Sequence, residues 1–433
     1  MHPFLSKRID NSPLVLFRIA FGFLLAFQCF GHLFDGWIDR HLTGPKFTFA
    51  HIGLEWLQPL GGNGMYFWFA AMGIAAVGLM FGFYYRISLS IFLALWTIEY
   101  WMQKTTYNNH HYLIILLCVI MLFLPANRYL AFDSRKPDAK SLSMPYWCRW
   151  ILIAQMAIVY FYAAIAKLYP DWLNGTFSSI IHGKYGKLDG LSLLGDHWVH
   201  VAIAWSGFLF DLLIIPMILW KRTRIVAIVA FIGFHLFNSV TLDIGIFPYL
   251  AMSFALFFFE PETIRKFLLP NKPIDLSSEI ISDANRKVIN FFIVPFLLLQ
   301  LLLPLRHWLI KGDVLWTEEG HRLSWRMMLR DRKGTSDFTV IDRKTKDTIP
   351  YKLEDVLTKK QIKGLGTHPD MIWQMAQYIR KDLEKSGKDV AVYVDCKVSV
   401  NRHPEQILID PNVDLAHADW NYFGHCDWIL LYE

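Results

Sequence analysis

Hydrophobic residues in this chain gather into long runs instead of alternating with polar ones. A transmembrane helix needs about 20 mostly apolar residues. Nine blocks come close: 12–34, 65–85, 87–102, 109–125, 146–168, 197–220, 223–241, 244–259 and 288–304. The third, fourth, eighth and ninth are short, so tilt, partial burial or polar ends must complete them, and the count is good to about one span. The first block follows Lys7 and Arg8 but is too long for a signal peptide and lacks a small-residue cleavage site, so it reads as an uncleaved anchor. Past Pro304 the pattern changes. Phe338 to Ile341 and Ile349 to Tyr351 flank a charged turn and predict a hairpin, and Ala391 to Val400, rich in β-branched residues, predicts a strand. Glu354 to Lys363 and Pro369 to Ser386 read as helices, the second with Pro369 near its first turn. The pattern predicts a mainly α protein: a polytopic helical membrane bundle of about nine spans over residues 1–304, then a small extracytoplasmic α+β domain over residues 305–433.

Composition agrees. The 433 residues are 54% hydrophobic, 16% aromatic and only 18% charged, against roughly 25% charged in an ordinary soluble domain. Mean hydropathy is +0.30. This excludes a disordered chain and argues against a water-soluble enzyme. The net charge of +6 acquires meaning from its distribution. With the N-terminus in the cytoplasm, inward segments hold fifteen Lys and Arg, and outward loops hold five: Arg40, Lys46, Lys104, Lys184 and Lys187. That bias orients the bundle, and nine spans carry the tail outward, to a periplasm, lumen or exterior. The basic balance is thus a topology signal, and no nucleic-acid partner is expected. The five cysteines form no CxxC pair and neither a dense disulfide scaffold nor a metal pattern. Cys396 and Cys426 could pair in an oxidising compartment; Cys29, Cys118 and Cys148 read as inert small hydrophobes.

Polar side chains within membrane spans are functional candidates by default. Here Asn108-Asn109-His110-His111 opens the fourth block, Lys167 closes the fifth, His235 and Asn238 lie in the outer half of the seventh, and Asp243 sits just beyond it. Glu99 is near the outer end of the third, and His307 follows the ninth, near Trp316 and Ser324-Trp325-Arg326-Met327-Met328. Several stretches thus deliver titratable or amide groups to one face. Each also has a plainer reading. A lysine at a helix end commonly snorkels to the headgroups, and Asn or His at span ends commonly bonds loop carbonyls or neighbouring helices. Asp211 and Arg18 lie nearer the inner side and read as structural. Two chemistries fit the cluster: axial histidines for haem, though no matched mid-membrane pair is present, and Lys–His–Asn acid–base chemistry on a lipophilic substrate, which fits better.

At these residues the sequence resembles the vitamin K-dependent γ-glutamyl carboxylase family, whose membrane part is called the HTTM domain. The matching stretches are Lys104-Thr-Thr-Tyr-Asn-Asn-His110, Val159-Tyr-Phe-Tyr-Ala-Ala-Ile-Ala-Lys167-Leu with Asp171-Trp172, and Phe234-His235-Leu-Phe-Asn238-Ser with Ile244-Gly-Ile-Phe247. Then come Leu303-Pro304, His307, Trp316-Thr317, Ser324-Trp325 and Met327-Met328, and finally Asp410-Pro411-Asn-Val-Asp414 with Ala418 and Trp420. The resemblance implies an enzyme that uses reduced vitamin K or a related naphthoquinone with O2 and CO2. Lys167 would take the hydroquinone proton, and oxygen addition would give a strong base that removes a γ-proton from a peptide glutamate. CO2 would then add, and the vitamin would leave as its 2,3-epoxide. Asn109 and His110 would position Lys167 or the oxygenated quinone; His235, Asn238 and His307 would line the quinone or glutamate region; Trp316, Ser324, Trp325, Arg326 and Met327 would belong to the glutamate-binding segment. No metal is implied. The implied partners are membrane lipid, a naphthoquinone and an exported Glu-containing protein or peptide.

The sequence departs from the animal pattern in three places. Leu323 stands where those members have an aromatic residue, Arg326 where they have an acid, and Ala166 where they have a second lysine. Animal members also continue well past the position of Trp420 with a region used on propeptide-bearing substrates, whereas this sequence ends at Glu433, so propeptide recognition of that kind is not expected. Two alternatives stay open: quinone epoxidation without peptide carboxylation, and a non-catalytic quinone- or lipid-binding protein on the same scaffold.

Overall fold

The computed structural model describes residues 5, 7–185, 196–241, 244–274, 283–327 and 329–432. Lys187, Asp243, Met328 and Glu433 lie outside the described residues.

Every predicted apolar block is helical. In chain order the helices are α1 (Ser12–His32), α2 (Gly64–Phe81), α3 (Tyr85–Met102), α4 (Asn109–Phe123), α5 (Trp147–Ile165), α6 (His197–Leu219), α7 (Arg224–Thr241) and α8 (Phe247–Ser253). A last run, α9 (Arg286–Leu309), passes through a π segment at Ile289–Ile293 and a 3-10 segment at Leu303–Leu309. The expected count of nine spans is not confirmed: among the described residues, five helices (α1, α2, α5, α6 and α9) are long and apolar enough to cross a membrane, and three shorter apolar helices accompany them. The reasons are local. Helix α3 carries Arg86 and Glu99, α4 has only 15 residues, and the eighth block breaks between Ser253 and Ala255. Large apolar side chains such as Val226, Val229 and Val240 stand exposed on α7, as a lipid-facing surface requires.

Close packing and buried cations hold the bundle. Gly22 on α1 lets α2 approach so nearly that a Cβ there would lie 2.5 Å from the Met80 backbone nitrogen. Arg18, fully buried, donates to the carbonyls of Ala126 and Leu130 beyond the C-terminal end of α4, the structural part expected of it. At the other end of the chain's first segment, Lys272 binds Asp10, Asn11, Ser12 and the Leu142 carbonyl. It thereby ties α1 to the ribbon of β1 (Arg8–Asp10) and β2 (Ser143–Pro145).

The small C-terminal domain has an antiparallel sheet ordered β4-β3-β5-β6, from β3 (Arg332–Asp342), β4 (Thr348–Ile349), β5 (Val390–Val400) and β6 (Gln406–Ile407). The predicted hairpin and strand are therefore present. Of the two predicted helices, α11 (Pro369–Glu384) matches, while the other is shorter than expected: α10 (Lys359–Leu365) starts only at Thr358, whose side chain closes a capping box with Gln361. Ile372, Met375 and Ile379 of α11 pack on the sheet with Val392, Val394 and Cys396. Cys396 and Cys426 are both free and buried, so the possible disulfide is not formed. Cys396 sits on the sheet's packed face, and the Cys426 sulfur accepts the Asn421 N–H at 3.3 Å. Burial raises both thiols, to about 11 and about 12.

The two parts are stitched together. Phe47 and Phe49, from the loop after α1, join the outer core. Gln361 and Gln374 donate to the Phe47 and Ala50 carbonyls, and Asn401 bonds Asp171 at 2.9 Å. Lys104, just after α3, pairs with Asp370 at 2.7 Å.

Candidate functional site

A cavity of about 1630 Å³ lies between the outer ends of α4–α7 and the outer domain, with walls that are mostly apolar. Asn109 and His110 reach it because Asn108 caps α4, accepting the backbone N–H groups of His110 and His111. The Asn109 amide is fixed at both ends: its oxygen accepts from the Tyr107 hydroxyl at 3.0 Å, and its nitrogen donates to the Arg326 carbonyl at 3.2 Å. One amide N–H remains uncommitted. The His110 ring stacks on Phe247, with centroids 3.7 Å apart and planes within 15°, and its Nδ1 is buried with no partner among the described residues.

Lys167 follows α5 by two residues and lines the cavity. Its side chain turns back along the helix, donating to the Ala163 carbonyl at 3.2 Å and pairing directly with Asp211 of α6. Its Nζ also stands 5.1 Å from the Trp172 ring. His235 bonds the Tyr160 hydroxyl through Nε2 at 2.7 Å, while its Nδ1, like that of His110, has no partner among the described residues. Asn238 lines the same cavity. Lys167, Asn109, His110, His235 and Asn238 thus line one cavity.

The glutamate segment divides. Arg326 and Met327 line the cavity. Arg326 is buried, its Nε has no partner among the described residues, and its Nη1 meets His307 Nε2 at 3.5 Å. Burial, then Arg330, lowers the Arg326 guanidinium to about 10, which leaves it charged at neutral pH. His307 donates through Nδ1 to the Pro304 carbonyl at 2.8 Å and meets the site through Arg326. Ser324 turns back to bond the Gly320 carbonyl at 2.7 Å. Trp316 belongs to the outer-domain core and donates to the Leu430 carbonyl at 2.7 Å. Trp325 packs on Tyr112 in the membrane core, centroids 5.1 Å apart. None of His307, Ser324, Trp316 and Trp325 is on the cavity wall. The segment is conformationally strained, since Glu318, Leu323 and Trp325 all have positive φ. Glu99 is buried in the bundle away from the cavity, and one of its oxygens lacks a partner among the described residues.

Two cavity-lining residues were not singled out in the sequence. Asp211 reads there as structural and nearer the inner side; here it lines the cavity beside Lys167. Lys104 entered the sequence reading through topology and the family-like stretch, with no site role; here it is buried at the cavity's outer wall with Asp370 and Arg322, which donates to the same carboxylate oxygen at 2.5 Å. Burial, opposed by Asp370, brings the Lys104 ammonium down to about 8, and Arg322 and Lys104 hold the Asp370 carboxyl well below its usual range despite burial.

A family model described as the HTTM domain matches residues 6–262. A second, described as the lumenal domain of vitamin K-dependent gamma-carboxylase, matches residues 285–433. No solved structure matches. With its long apolar helices, the chain is a membrane protein whose C-terminal domain is extracytoplasmic. The HTTM match spans more than half of the chain and the lumenal-domain match follows it in order; the chain belongs to the vitamin K-dependent gamma-glutamyl carboxylase family.

Proposed function

We propose that this protein is an integral membrane enzyme that couples oxygenation of reduced vitamin K, or a related naphthoquinone, to the addition of CO2 to a glutamate of an exported peptide. The observation that carries the proposal is the Lys167–Asp211 pair on the wall of a large apolar cavity that Asn109, His110 and His235 also face. The cavity fits a quinone: its walls are apolar, His110 and Phe247 present flat stacked faces, and the buried Nδ1 atoms of His110 and His235 want hydrogen-bond partners. Exposed Val240 on its lining carries the wall to the lipid-facing surface, a route for a membrane-dissolved ligand. When bound, reduced vitamin K would be oxidised by O2 to its 2,3-epoxide, and that oxidation would supply the strong base that carboxylation needs.

The protein's own part is proton handling, orientation and water exclusion. Lys167 and Asp211 share one proton between an amine and a carboxylate. Wherever it sits, one of the two remains a base, so the pair can take a proton from a hydroxyl placed beside it. The uncommitted N–H of Asn109 donates to a ligand oxygen, and His110 and His235 orient the ring. Arg326, a buried cation without a carboxylate partner among the described residues, holds the glutamate side chain at the outer end of the cavity. Apolar walls keep water away, so that CO2 and not a proton meets the glutamate γ-carbon.

The test is a reaction of the purified protein with reduced vitamin K, O2, labelled CO2 and a short Glu peptide. Labelled peptide and epoxide together support the proposal. Epoxide alone moves the protein to the quinone-epoxidase alternative, and neither product, with quinone binding intact, leaves a non-catalytic binder.

A further inference from the structure

A second, smaller hollow of about 250 Å³ opens on the outer domain, between residues 317–322 and the loop after α1. Lys104, Arg306 and Arg322 face it, with His51 beside them. The acids around it are already engaged. Asp370 accepts from Lys104 and Arg322, Glu318 is held by Arg330 and Arg332, and Glu319 accepts from the His425 ring and the Cys426 N–H. Of the three lining acids, Glu318 and Glu319 are thus held from outside the hollow, while Asp370 pairs with the lining cations Lys104 and Arg322.

Donors at the hollow remain unpaired among the described residues. Arg306 has no carboxylate partner among the described residues and donates only to the Arg322 carbonyl. The Nε atom of Arg322 and the Nε2 atom of His51 are buried without partners among the described residues. Burial, then Arg322 and Lys104, holds His51 down to about 3, so it is a neutral ring at the outer surface. Unused donors around a small hollow call for an acceptor from outside, and two guanidinium forks suit a planar, two-oxygen anion. Trp420 and Tyr422 line the hollow as well; Tyr422 is 61% exposed and the adjoining Phe423 94% exposed, an aromatic surface of the kind on which a peptide backbone settles.

We propose that this hollow is a carboxylate subsite that receives an acidic side chain of an exported peptide, outside the quinone cavity. Lys104 and Arg322 line both spaces, so a peptide anchored here is directed into the larger one. The proposal rests on the carboxylase reading only for the peptide being a substrate; the binding itself needs neither quinone nor Lys167.

Calorimetric titration of the full-length protein in lipid nanodiscs tests it with a short single-Glu peptide, its Gln counterpart and free acetate. The Glu peptide is expected to bind about 10-fold tighter than the Gln peptide, and Arg306→Gln to remove most of that difference, leaving what Arg326 contributes in the larger cavity. Arg306→Lys should restore part of it, and Lys167→Ala should retain it in full even if no turnover is found. Equal affinity for the two peptides on the unaltered protein, a comparison that needs no variant, overturns the subsite. So does a Glu preference that is undiminished in a folded Arg306→Gln protein, or one abolished by Arg326→Gln alone. Acetate binding as tightly as the Glu peptide would assign the hollow to a free small anion and overturn the peptide assignment.

Discussion

In the proposed reaction, Lys167 and Asp211 divide one task between two residues. Lys167→Ala removes the only amine of the pair and is expected to cut quinone-dependent turnover by about 100-fold or more, measured as product formed per mole of folded protein. Asp211→Asn should leave measurable turnover with an altered pH–rate profile, whereas a purely structural carboxylate would lower stability and leave the profile's shape alone. Lys167, Asn109, His110 and His235 were legible in the sequence because a polar group inside an apolar block stands out. Asp211 stands out too, but counting along α6 placed it too deep. The indole of Trp172, beyond Lys167, bonds the carbonyl of Ala204, so the first turns of α6 lie beside the segment that follows α5, and Asp211 falls level with the returning lysine side chain. Trp316 and Trp325 illustrate the opposite limit. Both are buried aromatics in two different cores, and sequence alone does not separate packing aromatics from lining ones.

Elements meet through contacts that one residue can break. A side chain larger than hydrogen at Gly22 must displace the Met80 backbone; Gly22→Ala should destabilise the α1–α2 pair by about 1–3 kcal/mol, seen as a lower unfolding midpoint in detergent. Helix α11 is tied to the residues after α3 by Asp370. Asp370→Asn leaves Lys104 and Arg322 with a neutral partner in a buried place, which should cost about 3 kcal/mol. Asp370 and Glu318 also set an acid limit. Both carboxyls are held well below their ordinary values of 3.8 and 4.5, Asp370 by Arg322 and Lys104 and Glu318 chiefly by Arg330, in each case against burial. The folded state therefore binds fewer protons than the unfolded one in this range. Their stabilisation is complete above about pH 5 and declines as pH falls below that. The outer domain's melting temperature should drop between about pH 5 and pH 3, and Glu318→Gln should flatten the drop. The elements themselves were mostly legible, since apolar blocks and a β-branched strand follow from side-chain period. The short start of α10 was not, because Thr358 acts through a cap that one residue decides.

For the molecule as a whole, composition and charge bias point to a membrane body with an outward domain, and the family matches agree on the outward domain. Span number was the least legible quantity, because short or interrupted apolar runs lack a length that decides whether they cross. Topology is open to direct labelling. Lys344 is exposed on the β3–β4 turn, and all five native cysteines are buried. A Lys344→Cys protein in intact cells should react with a membrane-impermeant maleimide; labelling only after permeabilisation would reverse the orientation. The central claim is that the cavity around Lys167 converts a reduced naphthoquinone and thereby drives carboxylation. Its most direct measurement is quinone-dependent incorporation of labelled CO2 into a Glu peptide by the unaltered protein and by Lys167→Ala, side by side. Incorporation by the first and its loss, at least about 100-fold, in a folded second is the predicted result. Equal incorporation by both would contradict the site, and none by the first, with quinone bound, would contradict the function.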